Sequence, residues 1–503
     1  MSKTQYAAGL RFVVRTPDQC PDKENRRVVM SHASTTRWKR RKDATQLHSW
    51  IDPGRSLGFE DQKQKVTDYP TVSVPGLVGG NFSATQLPPG IEPSVIEDLV
   101  QLINFDQIGM YPYDICLQTH PVHRGWFPYM IGDICCIHSM MFSVRAFVDG
   151  HSSDGECSRL AAFHFHRTIQ ILQARVNAFE RGHSESVFRD STIMVIITLV
   201  QAAELTGDFK AAQNHVDGLL RIVKLKGGLR AMNTHNNLQV KICRADLGLA
   251  LHLGTRPRLF QEDIQWDCFI WGRGLVHCDH GHHANLTRPF VDQLEWRLNN
   301  CWKDIHAFSC LSNLAYQTTR KLSPETYNEM MVSILYRLTQ LSFADDLLQE
   351  TIRVGLLVYC TTIFLTRSFL EQNYGHLFEL FKTGLFELCH SPATIVPHPV
   401  MLWLLLLYHV TVYKGPSVNS RASDWLDRAV SLTGVNTWAQ AHPVLRSILW
   451  VDFVHDSAGK EAFLAATQRL KMYRIDDSTL TFSTHPAQSS QTDYHPPAQS
   501  TPI

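Results

Sequence analysis

The segment LVHCDHGHH sets His277, Cys278, Asp279, His280, His282 and His283 within seven positions. Imidazole nitrogens and a thiolate are the donors that zinc and other late first-row metals prefer. A structural zinc site draws its ligands as two pairs separated by a folded span, and no second pair at matching spacing stands out along the chain. Flanked by WGRG and ANLTRP, the segment reads as an exposed, solvated loop. His277, Cys278, His280, His282 and His283 therefore stand as candidate ligands without a completed site, and no metal or other cofactor is expected.

Nucleophilic chemistry is no better supported. RGHSESVF places Ser184 after Gly182-His183, as the first half of a G-x-S-x-G turn would, but Ser186 occupies the second glycine position. HVD (His215, Asp217) and HCD (His277, Asp279) match the opening of an iron-binding facial triad. The first lies in a helical pattern, where residues two apart point to different faces. Cys135-Cys136 sit among apolar residues at helical spacing and read as buried, inert thiols rather than a redox pair. No dinucleotide fingerprint, Walker loop or H-E-x-x-H occurs. These features predict no enzyme.

The other concentrated chemistry is charge. STTRWKRRKD holds Arg37, Lys39, Arg40, Arg41 and Lys42 in six positions, and Arg26 and Arg27 lie just upstream. The whole chain of 503 residues has a formal net charge of only +1. Its first sixty residues carry about +6 and the remainder about −5. A cationic segment of this kind fits the acidic groove of an import receptor or a phosphate backbone, so these seven residues are assigned to nuclear targeting or phosphate contact.

The elements that would carry these groups are helical. In STIMVIITLVQAAELTGDFKAAQNHVDGLLRIVKLKGG, Ser191 and Thr192 offer N-caps, and Ile193 to Val200 is apolar nearly all round, which predicts a buried helix. Gly207-Asp208 turns the chain. Phe209, Ala212, Val216, Leu219 and Val223 then form one stripe, with Lys210, Gln213, Asp217, Arg221 and Lys224 opposite and Gly227-Gly228 as the stop. The unit resembles a tetratricopeptide hairpin, but no second copy follows at a fixed period. VMLWLLLLY, Val400 to Tyr408, is too short to span a bilayer and predicts a buried helix. No membrane association is expected.

The resulting expectation is an all-α protein: a large irregular bundle of αα-hairpins. Its basic arm occupies residues 1–60, a Gly/Pro-rich linker 61–90, the helical body 91–475 and a disordered tail 476–503. Twelve scattered cysteines without a secretory signal predict a reducing compartment.

The opening LRFVVRTPDQCPDKENRRVVMSHASTTRWKRRKD resembles that of fungal-specific transcription factor-like proteins, through Phe12-Val13, Pro17, Arg26-Arg27, Ser31-His32 and the basic cluster. Met30 and Ala33 depart from that pattern. The likeness continues in GDFKAAQNHVDGLLRIVKLKGGL, in KICRADLGLALHLGTRPRL with Arg244, Asp246 and Arg256-Pro257-Arg258, and in HPVMLWLLLLY and VLRSILWVDFVHD. It implies an all-helical regulatory region like that of zinc-cluster activators. Only Cys20 precedes Cys116, so the six-cysteine zinc cluster is not expected here. The resemblance implies a nuclear transcription regulator, of a kind often tied to secondary-metabolite gene clusters. Its expected partners are an import receptor, a DNA backbone or a DNA-binding protein, and a second copy of the chain. A helical scaffold or an accessory protein of a biosynthetic pathway, without nucleic-acid binding, is the alternative.

Overall fold

The computed structural model describes residues 112–118, 132–150, 158–183, 186–232, 238–262, 264–275, 280–366, 374–391, 395–412 and 420–480. The basic arm and the linker lie outside these residues. The described residues are 78% helical, with fourteen α-helices and no β-strand among them, so the fold is all-α. One isolated bridge pairs Leu117 with Leu322.

In chain order the helices are α1 (Ile134–Gly150), α2 (Arg159–Glu180), α3 (Asp190–Leu205), α4 (Phe209–Lys226) and α5 (Leu238–Leu253). Then come α6 (Gly281–Val291), α7 (Trp296–Gln317), α8 (Pro324–Gln340), α9 (Leu347–Cys360) and α10 (Gly375–His390). The last four are α11 (His398–Thr411), α12 (Ser420–Thr433), α13 (Trp438–Ile448) and α14 (Asp452–Leu480). Helix α14 continues through Leu480 and so enters the segment expected to be disordered from 476.

Helix α3 explains its own all-round apolarity. Val195, Leu199 and Ala202 pack into a cluster with α1 and α2. Ile193, Ile196, Ile197 and Val200 face the other way, onto α4 and α5. A helix packed on both sides has no solvated face to keep polar. Helix α5 repeats the device, with Ile242, Ala245 and Leu249 toward α3 and α4 and Cys243, Leu247 and Leu251 toward the main core. That core is built by α7 to α14. The run Val400–Tyr408 lies within α11 and is almost entirely buried. Leu347–Leu365 is long and apolar enough to cross a membrane by composition, and most of it is buried inside the bundle.

The α3–α4 turn follows its chemistry. Gly207 has φ of 72°, and the Asp208 side chain accepts the Ala211 N–H at 3.0 Å as the N-cap of α4. Gly227 closes the helix in the left-handed region at φ 106°. The start of α3 differs from expectation. Its N-cap position is Arg189, without a side-chain cap, and Ser191 and Thr192 lie inside the first turn. Ser191 donates to Asp133 at 2.5 Å, and Thr192 donates to the Ser186 carbonyl at 2.9 Å while accepting from Arg175. Asp133 also receives Arg175 and the Cys135 N–H, so these hydroxyls join α1, α2 and α3 instead of capping one helix.

Candidate functional site

The cationic residues Arg26, Arg27, Arg37, Lys39, Arg40, Arg41 and Lys42 lie outside the described residues, as do His277, Cys278 and Asp279. Chemistry in the body must therefore be sought among its internal polar clusters.

The first surrounds His280. This residue immediately precedes α6, so the end of the segment expected to be a loop, Gly281 to His283, is helix. The flanks WGRG and ANLTRP give it the look of a loop, but Pro289 of the second is accommodated near the helix C-terminus. His282 and His283 fall in the first turn of α6, and His283 is half-buried. His280 is also half-buried rather than solvated, and it turns toward α7. There its Nε2 lies 3.3 Å from the Cys310 Sγ, and its ring lies edge-on to His306 with centroids 5.0 Å apart. His306 and Cys310 are four residues apart and so share one face of α7. One donor atom from each of His280, His306 and Cys310 lies within 4.8 Å of the other two. His306 and Cys310 are thus potential donors beside His280 that the sequence did not disclose.

The surroundings fix this arrangement. Two residues before His306 on α7, the fully buried Asp304 accepts the backbone N–H groups of Phe269, Ile270 and Trp271 at 2.8–3.0 Å. It also pairs with Arg337 at 2.6 Å. Residues 269–271 are thereby held against α7, and Trp271 reaches the His306 ring edge-on at 6.3 Å. The Ser447 backbone at the end of α13 hydrogen-bonds to His306. Burial, then the neighbouring His280, lowers His306 to a pKa of about 4, so its imidazole is neutral near pH 7.

A second cluster joins His442 with Asp452 and Asp456. His442 Nε2 is 3.1 Å from Asp452 and 3.3 Å from Asp456. Hydrogen bonds to Asp452 and then Asp456 raise His442 to a pKa of about 9. The ring is an imidazolium at neutral pH, which is a donor and not a metal ligand. Asp452 accepts from Gln317, Asp456 accepts from Trp450, and Asn313 bonds the Trp450 carbonyl and the Asp452 N–H. The group is a polar clasp fastening α13 and α14 to α7.

The described hydroxyl–imidazole pair Thr362–His455 also has a structural reading. His455 is fully buried, and burial lowers its pKa to about 3. The Val451 N–H donates to Nδ1, so the ring proton resides on Nε2, which faces the Thr362 hydroxyl at 2.8 Å. Thr362 in turn donates to the Tyr359 carbonyl at 2.6 Å. A ring that donates to the hydroxyl cannot take its proton.

The remaining sequence candidates separate cleanly. His215 is buried and Asp217 exposed on α4, which removes them as a joint ligand set. Burial pushes Cys135 to a pKa of about 12 and Cys136 well above the ordinary thiol range, as inert core thiols require. Arg244 and Asp246 do different work. Asp246 accepts the Arg258 and Leu259 N–H groups and the Tyr336 hydroxyl, anchoring the chain that leaves α5. Arg244 joins Glu204, Lys241 and Tyr374 around a cavity of about 20 Å³, which is water-sized.

No protein family model, curated protein or solved structure matches the chain.

Proposed function

We propose that this protein is a transcription-regulator-like factor. In this reading the basic arm provides nuclear targeting and phosphate contact, and the helical body provides regulation and self-association. The observation that carries it is the concentration of five cations between Arg37 and Lys42 in a chain whose net charge is +1. Import receptors recognise short basic runs by charge density, and a DNA backbone accepts the same cations with little sequence preference. The ordered likeness of residues 10–470 to fungal-specific transcription factor-like proteins supports the same reading. It also suggests a regulated gene set of the secondary-metabolite kind. The donor direction at Thr362–His455 and the occupied carboxylates around His442 favour a non-enzymatic body.

Replacing Arg40 and Arg41 together by Ala tests the proposal, because it removes two charges at the densest point of the arm. Nuclear accumulation and salt-sensitive DNA binding should both fall, while the thermal midpoint stays unchanged. The affinity lost should shrink as salt rises, as expected for released counterions. Chromatin occupancy of the tagged protein should vanish when residues 1–60 are deleted. Retained localisation, DNA binding and occupancy in these variants would instead make the body a scaffold without a nucleic-acid role.

A further inference from the structure

We propose that His280, His306 and Cys310 form a binding site for a borderline-soft divalent cation, best matched by Zn²⁺, which staples the N-terminus of α6 to the face of α7. The proposal is independent of the arm and of its partner.

The donor set is the first argument. Two imidazole nitrogens and one sulfur suit Zn²⁺ and exclude the oxygen-preferring Mg²⁺ and Ca²⁺. Spacing is the second. A tetrahedral zinc ion holds nitrogen at about 2.0 Å and thiolate sulfur at about 2.3 Å, so two such ligands stand about 3.5 Å apart. The His280 Nε2 and Cys310 Sγ are 3.3 Å apart, with His306 contributing a third donor within 4.8 Å. Small side-chain rotations would bring the three onto one ion.

The support around the ligands is the third argument. A ligating histidine is usually oriented by a hydrogen bond through its other ring nitrogen. A hydrogen bond to the Ser447 backbone likewise restrains the His306 ring. Asp304, on the same helix as His306 and Cys310, anchors residues 269–271 to α7, and Trp271 of that stretch lies edge-on to the His306 ring. His306 and Cys310 come from one rigid helical face, four residues apart. None of the three is fully sealed from solvent, so a water is the natural fourth ligand. Binding would displace the Cys310 thiol proton to solvent and convert the His280–Cys310 hydrogen bond into two metal–ligand bonds.

Cobalt is a spectroscopic substitute for zinc in the test. The full chain, reduced and stripped of metal, is titrated with Co²⁺ alone. One equivalent should bind, with the intense visible bands of tetrahedral cobalt and a near-ultraviolet thiolate-to-cobalt band. Cys310→Ser should abolish the thiolate band, and His306→Gln should weaken binding by more than about tenfold. Far-UV circular dichroism of each variant checks that the helices persist. X-ray absorption of the zinc-loaded wild-type chain provides a measurement that needs no variant, and should show one sulfur and two imidazoles around the ion. Six-coordinate cobalt without a thiolate band would overturn the proposal. So would a thiolate band that survives Cys310→Ser but disappears in Cys278→Ser, which would move the metal into the neighbouring His-rich segment. A zinc coordination sphere lacking sulfur would also overturn it.

Discussion

A charged side chain is worth most where the fold has removed every alternative partner. Asp304 is fully buried and collects three backbone N–H groups together with the Arg337 guanidinium, which is 2% exposed. Asp304→Ala would leave an uncompensated buried cation and three orphaned donors, costing about 3–5 kcal/mol. The Asp217–Arg258 pair is the natural contrast. Both side chains are more than 40% exposed, so Asp217→Ala should cost under about 1 kcal/mol. Urea denaturation of the two variants checks the ranking, and equal losses would refute it. In sequence, Asp304 differs from Asp217 only by its position on an apolar stripe with Cys301, Ile305 and Phe308. That stripe was the available signal. Nothing local indicated that the partners would be residues 269–271 and Arg337.

At the scale of elements, the α3–α4 hairpin carries the sharpest test of the assigned faces. Ile196 is 1% exposed and faces α4 and α5, so Ile196→Asp should cost several kcal/mol and collapse the thermal transition. Lys224 is exposed on the opposite stripe of α4, and Lys224→Ala should shift the midpoint by no more than a degree or so. Equal behaviour would mean that the faces are misassigned. This hairpin was legible because its signals are local: an apolar run, a Gly-Asp turn, a 3.6-residue stripe and paired glycines. The buried α11 was legible for the same reason. The roles of Ser191 and Thr192 were not, because their partners Asp133 and Arg175 come from other elements. The ligand pair for His280 was hidden similarly. Cys310 lies 30 residues away on a helix with no motif of its own, and only folding brings the two together.

For the molecule as a whole, opposing histidine shifts set the pH range of stability. Burial lowers His409 to a pKa of about 4 and His455 to about 3, against an ordinary value near 6.5. Their contribution is therefore complete above about pH 6.5 and is lost as pH falls toward those values. His442 has the opposite sign. Raised to about 9 by Asp452 and then Asp456, it stabilises fully below about pH 6.5 and loses that contribution as pH rises through 9. Burial raises Cys135, Cys243 and Cys301 to about 12, so unfolding gains a further advantage once free thiols ionise above about pH 8.5. The wild-type chain should consequently be most stable near pH 6.5, with a decline on the alkaline side that begins before any thiol ionises. His442→Gln should remove the part of that decline between about pH 6.5 and about pH 8.5. It should also lower stability at pH 6 by about 2–3 kcal/mol, leaving a flatter profile whose alkaline edge belongs to the thiols. Urea midpoints measured across this range on both proteins supply the check. An unchanged slope in the variant would mean that the clasp between α13, α14 and α7 does not depend on the charge of His442.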